Sequence, residues 1–163
     1  DTGPAERMLA SMPADTIDSA RDAYWVPYLK RDYAHAARAL ALVPDELLGS
    51  QFTVHPKALL RARLAYAQGD AATTRTEATS AMAILDARIA ANPKDFDARF
   101  ALAALQAHAG DFDAAFDQLL EVVLRDKAEW REKARLQLVE WFALCTDAQA
   151  VSRGRRYLGM YLN

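Results

Sequence analysis

Between Asn92 and Lys127 apolar side chains recur at three- and four-residue spacing on either side of a glycine. That is the pattern of two antiparallel helices joined by a tight turn. Asn92-Pro93 reads as a helix start, because proline lacks an N–H that would be unpaired there anyway. Leu102, Ala103 and Leu105 share one side of the first helix. Gly110-Asp111 closes it, with glycine in the left-handed cap that other residues resist. Ala115, Phe116, Leu119, Leu120 and Val123 then mark the buried face of the second helix. Ala103 and Ala115 are small enough to let the two helices approach closely.

The same pattern, less regular, extends in both directions. Pro4 to Met12 reads as a short helix ended by Pro13. Ala34 to Val43, before Pro44, repeats it: AERMLASMP aligns with HAARALALVP. Both read as second helices of successive pairs, so the chain opens in mid-pair and leaves Met8, Leu9 and Met12 to be covered by another segment or chain. Asp15 to Lys30 is the first helix of the next pair, with Asp15 or Thr16 as its cap. Pro27 is expected to kink that helix or end it near Val26, and Asp32-Tyr33 makes the turn. Asp45 to Val54 reads as a loop or a ragged helical turn. His55-Pro56 opens a helix carrying Leu59, Leu60, Leu64 and Tyr66, and Gly69-Asp70 closes it. The helix from Ala71 to Ala91 carries Ala78, Ala81, Met82, Leu85 and Ile89. From Ala128 to Cys145, Trp130, Ala134, Leu138, Trp141 and Phe142 form an apolar face, while Arg131, Glu132, Lys133, Arg135 and Glu140 face water. Thr146-Asp147 caps a last helix, Ala148 to Leu162, carrying Val151, Tyr157, Leu158 and Tyr161. No segment reads as a strand.

The turn aspartates Asp32, Asp70 and Asp111 stand 38 and 41 residues apart. Leu102, Ala103, Gly110, Ala115, Leu119 and Val122 follow the order of the tetratricopeptide repeat, whose unit is about 34 residues. The chain resembles that family. The resemblance implies an all-α fold: a right-handed superhelix of antiparallel helix pairs, an α-solenoid of about seven or eight helices. It divides one domain, 1–163, into repeats near 15–44, 55–91 and 93–126, with capping helices over 128–162 and a truncated repeat at 4–13. The C-terminal half also resembles the C-terminal helical region of bacterial thioredoxin-like chaperones, the chaperedoxins. Leu119–Asp126, Val139–Leu144 and Arg155–Leu158 follow that family's order of stretches. This implies a client- or partner-binding role. The family's redox chemistry does not carry over, because the chain has no C-x-x-C. The middle of the chain, 55–93, is similar to tetratricopeptide tails of bacterial cyclases and kinases, which leaves a signalling context as the alternative.

Charge and chemistry narrow the function classes. The formal net charge is −2 and the pI about 5.9, a balance that favours neither nucleic acid nor an acidic membrane surface. The basic cluster Arg153, Arg155 and Arg156 reads as a solvated face. One cysteine, Cys145, excludes an internal disulfide and suits a reducing compartment, so a cytoplasmic location is expected. The first residues have neither the basic nor the apolar region of a signal peptide. No apolar run approaches the roughly 20 residues of a membrane span. His35, His55 and His108 are far apart and form no metal pair. Asp95, Asp97, Asp111 and Asp113 sit at helix starts, where capping explains them. No phosphate-binding glycine motif is present. Neither a cofactor nor catalysis is expected.

What remains is a groove. In stacked helix pairs the first helices line the concave side, which takes extended peptides. In this register the lining residues are Asp18, Arg21, Trp25 and Tyr28, then Leu59, Arg63 and Tyr66, then Asp97, Phe100, Ala104 and His108. Trp, Tyr and Arg are the residue types that dominate interface energies. The expected function is therefore a non-catalytic protein–protein interaction module. Self-association as a homodimer through the N-terminal helix is the rival reading.

Overall fold

The computed structural model of the 163-residue chain describes residues 17–42, 47–49 and 54–162, with residues 17–22, 47–49 and 54 described by their backbone only. The helix expected at Pro4–Met12, and the dimer proposed through it, lie outside the described residues. Those described form eight helices and one two-stranded ladder. In order they are α1 (Ile17–Leu29), α2 (Tyr33–Ala41), β1 (Leu47–Gly49), β2 (Val54–Pro56), α3 (Lys57–Ala67), α4 (Ala71–Ala91), α5 (Phe96–His108), α6 (Phe112–Arg125), α7 (Glu129–Leu144) and α8 (Ala148–Leu162). The all-α class expected from the apolar spacing is the class observed. The chain divides into two compact units, Asp1–Ile84 and Leu85–Asn163, whose border falls within α4.

Three helix corners are built alike. At each, the residue that leaves the helix takes a positive φ: 63° at Arg31, 76° at Gly69 and 86° at Gly110. The next residue is an aspartate, and its N–H donates to the carbonyl five residues back. These bonds join Asp32 to Pro27, Asp70 to Ala65 and Asp111 to Gln106, each at 2.9 Å. They close the last turn as a left-handed C-cap does. The same aspartate then starts the following helix, its carboxylate accepting from the N–H of His35, Thr73 or Ala114. One residue thus satisfies groups at the end of one helix and the beginning of the next. This is the physical content of the aspartate spacing in the sequence.

In the first unit the core is Tyr24, Ala36, Leu40, Leu60 and Leu64, with Trp25, Tyr28 and Tyr33 packed on it. The Tyr24 hydroxyl donates to the Leu60 carbonyl at 3.1 Å, tying α1 to α3. Burial and the neighbouring Tyr28 push this phenol far above its ordinary titration range. α1 departs from one of the two outcomes expected at Pro27: it does not end near Val26 but runs to Leu29. Pro27 lies in the last turn, where its missing N–H costs a single bond, and its carbonyl receives the Asp32 N–H. The second departure from expectation is the ladder. β1 and β2 pair antiparallel, Leu47 with Pro56, Leu48 with His55 and Gly49 with Val54, where a loop or ragged turn was expected. Helix α3 therefore starts at Lys57 rather than at His55. Pro56 makes this economical: at φ −57° and ψ 137° it is extended enough to finish a strand, and it stands at the N-cap of α3, with no N–H to leave unpaired.

In the second unit α6 is central and packs against α5, α7 and α8. Its buried stripe is Ala115, Phe116, Leu119, Leu120, Val122 and Val123. Ala103 from α5, Ala134, Leu138 and Phe142 from α7, and Ala150 and Leu158 from α8 complete the core. The tightest approach is at Gly154 of α8. A Cβ there would stand 2.6 Å from Phe142 Cε1 and 3.3 Å from Phe116 Cδ2. Phe116 and Phe142 meet edge to face, with centroids 4.9 Å apart.

Candidate partner-binding surface

The second unit fixes its first helices with polar clamps. Asp95 accepts the Ala98 N–H with one carboxylate oxygen and takes Arg88 Nε and Nη2 on the other, at 3.0 and 2.7 Å. This sets where α5 begins. Arg99, buried, donates through Nε to the Pro93 carbonyl and through Nη1 to Gln118 Oε1, locking α5 onto α6. The start of α7 is set by Asp126, whose carboxylate accepts the N–H groups of Ala128 and Arg131. Arg131, expected in water, is half-buried and donates to the Tyr161 carbonyl at 2.8 Å, tying α7 to α8.

These clamps hold three rings from two helices together. Trp130 of α7 lies 5.4 Å from Phe100 and 6.2 Å from Phe96 of α5, centroid to centroid. All three rings are only partly buried against the core. Lys133 Nζ sits 4.7 Å from the Trp130 ring centroid and 2.6 Å from Glu129 Oε1. Asp97 belongs to the same neighbourhood. Burial and the nearby Asp95 hold its carboxyl above the ordinary range, opposed by Arg88 and Lys133. Further along α5, Ala104 and His108 are exposed. Of the residues expected to line a groove here, Phe100 joins this ring group and His108 lies at the far end of its helix.

In the first unit Trp25 and Tyr28 are half-buried and stack around Tyr24, with centroids 5.2 and 5.5 Å from it. Tyr28 also meets Tyr33 at 5.9 Å. The Arg63 guanidinium stands over the Trp25 ring at 5.7 Å, and Tyr66, one turn further along α3, is exposed. Arg21 lies on α1, in the part described by its backbone alone. Leu59 corrects the expected set: at 4% exposure it is interior and has no surface to offer a partner. It shares a face with Arg63 and Tyr66, but the first turn of α3, Lys57 to Leu60, is buried on every side, so its place along the helix and not its face decides the outcome.

Sequence reading missed Trp130 as the ring partner of Phe100, and Lys133 as the cation over Trp130. Trp130 was grouped with the core of α7 and Lys133 with its solvated side. The usable signal was their i, i+3 spacing at the start of a helix that follows two complete pairs, the place of the next first helix.

Other chemistry is accounted for locally. Arg153 donates to Asp113 and Asp117 of α6, Arg155 stands over Phe142 and Arg156 over Tyr157. The three arginines are thus engaged separately rather than converging on one ligand. Cys145 is half-buried beside the core, its Sγ 3.7 Å from the Asp147 carbonyl. Among the described residues no group of three or more His, Cys, Asp or Glu side chains is placed to hold a metal ion. No helix among them is long and apolar enough to cross a membrane.

Comparison with curated proteins and with solved structures returned no match. A family model described as tetratricopeptide repeat matches residues 75–163, most of α4 and all of α5 to α8. Repeats of this family are non-catalytic and mediate protein–protein interactions. With more than half its length matched, and with helix pairs closed by repeated aspartate corners, the chain belongs to the tetratricopeptide repeat family.

Proposed function

We propose that this protein binds an extended segment of another polypeptide along the first-helix face of its second unit. The observation that supports this most directly is the ring group Phe96, Phe100 and Trp130. It packs against the core that α6 closes and keeps part of its surface exposed. Partly exposed rings on a rigid scaffold supply contact area at low entropic cost, as binding hot spots require. Trp25, Tyr28, Arg63 and Tyr66 form the corresponding candidate group of the first unit. The resemblance of the C-terminal half to chaperedoxins makes unfolded client chains the partner class we favour, with a thioredoxin-like domain in the same protein.

The test is an NMR titration of the 163-residue protein with a reduced, carboxymethylated globular protein as the unfolded probe. Perturbed amides are expected to cluster around Asp97, Phe100 and Ala104 on α5 and Trp130 to Gln137 on α7. Phe100→Ala is expected to weaken the probe by about tenfold, as loss of a moderate hot spot does. Perturbation confined to the outer face of α6 would overturn the assignment.

A further inference from the structure

The Trp130 end of this face already holds a cation, and that cation comes from the protein itself. Lys133 Nζ is 4.7 Å from the Trp130 ring centroid and 2.6 Å from Glu129 Oε1. An aromatic face beside a carboxylate is an environment that attracts a positive charge. Both Lys133 and Glu129 are well exposed, with side chains 52% and 75% accessible, so the ammonium can leave without opening the core. Phe96 and Phe100 hold the ring in place from the other helix and do not depend on the lysine.

We propose that Trp130 and Glu129 form a subsite for a basic side chain, arginine or lysine, of the bound segment, and that Lys133 is its internal competitor. This rests on the reading of the face as a binding surface and adds the chemistry of one residue of its partner. A bound arginine would place its planar guanidinium on the indole and direct its N–H groups to the Glu129 carboxylate. Lys133 would then swing into solvent, where an ammonium is well hydrated. Glu129 makes the subsite selective: every side chain must displace Lys133, and a neutral one gains no charge contact in return.

The experiment uses the whole chain and two blocked peptides, Ac-Ala-Leu-Arg-Ala-Leu-NH2 and the same peptide with norleucine for arginine. The Trp130 indole N–H signal reports binding. Lys133→Ala is expected to tighten the arginine peptide by about three- to fivefold, the worth of one exposed cation–π contact, and to tighten the norleucine peptide as well, since each must displace the lysine. Glu129→Gln is expected to weaken the arginine peptide alone. If the two peptides bind Lys133→Ala with equal affinity, the face binds peptide but the basic subsite is wrong. If Lys133→Ala weakens the arginine peptide, the lysine is not a competitor and the proposal fails. If neither peptide moves Trp130 in either protein, both the subsite and the reading of the face are overturned. Lys133 and Glu129 are surface residues, so neither variant threatens folding.

Discussion

The two units hold aromatic groups of similar size and use them differently. In the first unit three of the rings, Tyr24, Trp25 and Tyr28, come from the single helix α1, and Tyr24 is completely buried at their centre. Ring group and core are one structure there. In the second unit the core has its own rings, Phe116 and Phe142, packed edge to face over Gly154. Phe96, Phe100 and Trp130 lie outside that pair and come from two helices. The second unit's core is closed by rings of its own, so its partly exposed rings contribute less to stability than Tyr24 does in the first unit. Aromatic residues at helical spacing look alike in a sequence. Whether one of them is buried to completion decides between core and surface.

The contrast can be broken by truncating one ring in each unit. Tyr24→Ala is expected to cost about 3–5 kcal/mol, the usual range for emptying a large buried site, and to unfold the first unit selectively. Phe100→Ala is expected to cost about 1–2 kcal/mol, because the ring is only partly removed from water. Hydrogen exchange read unit by unit checks both, and equal losses would erase the distinction. Gly154→Ala is next in size. Its methyl carbon would press into the Phe142 and Phe116 rings, and overpacking of this kind costs about 1–3 kcal/mol. Thermal melting should show the loss in the second unit. An unchanged melting temperature would mean that α8 does not dock as closely as described.

A smaller effect separates the corners. Arg31 at φ 63° occupies the position that Gly69 and Gly110 fill elsewhere. Arg31→Gly is expected to stabilise the first unit by about 1 kcal/mol, the cost of a left-handed conformation for a residue with a Cβ. Chemical denaturation would show it, and a loss of stability would mean that the Arg31 side chain earns its place by a contact. The smallest effect is electrostatic. The Asp97 carboxyl is held above its ordinary range by burial and by Asp95, so its ionised form weakens the fold at neutral pH. Asp97→Asn should therefore be more stable than the parent at pH 7. The advantage should begin to fade as pH falls through the raised value and be gone below the ordinary carboxyl range, where both folded and unfolded chains carry a protonated Asp97. A gain that grew on acidification would contradict that sign.

Much of the fold was legible because it rests on local rules. Aspartate after a positive-φ residue fixes a corner from two positions in the sequence, so all three corners could be placed from Asp32, Asp70 and Asp111. The buried stripe of α6 was likewise written in its spacing. The β1–β2 ladder was not legible, because each strand has three residues and its pairing depends on a partner several positions away. Of the two outcomes expected at Pro27, an end near Val26 was the wrong one, since α1 continues two residues past the proline. At the site, Leu59 was wrongly exposed: it keeps the face of Tyr66, but the first turn of α3 is buried on every side. How deeply a helix end is buried follows from its neighbours, and the spacing along one helix does not supply it.

The central claim is that the first-helix face of the second unit takes another polypeptide. The most direct test places a photo-crosslinking residue at Ala104 of α5, and separately at Leu124 of α6, which is 41% exposed. With the carboxymethylated unfolded probe, strong crosslinking at position 104 and little at 124 is the predicted result. Equal capture at both positions, or capture at 124 alone, would contradict the account.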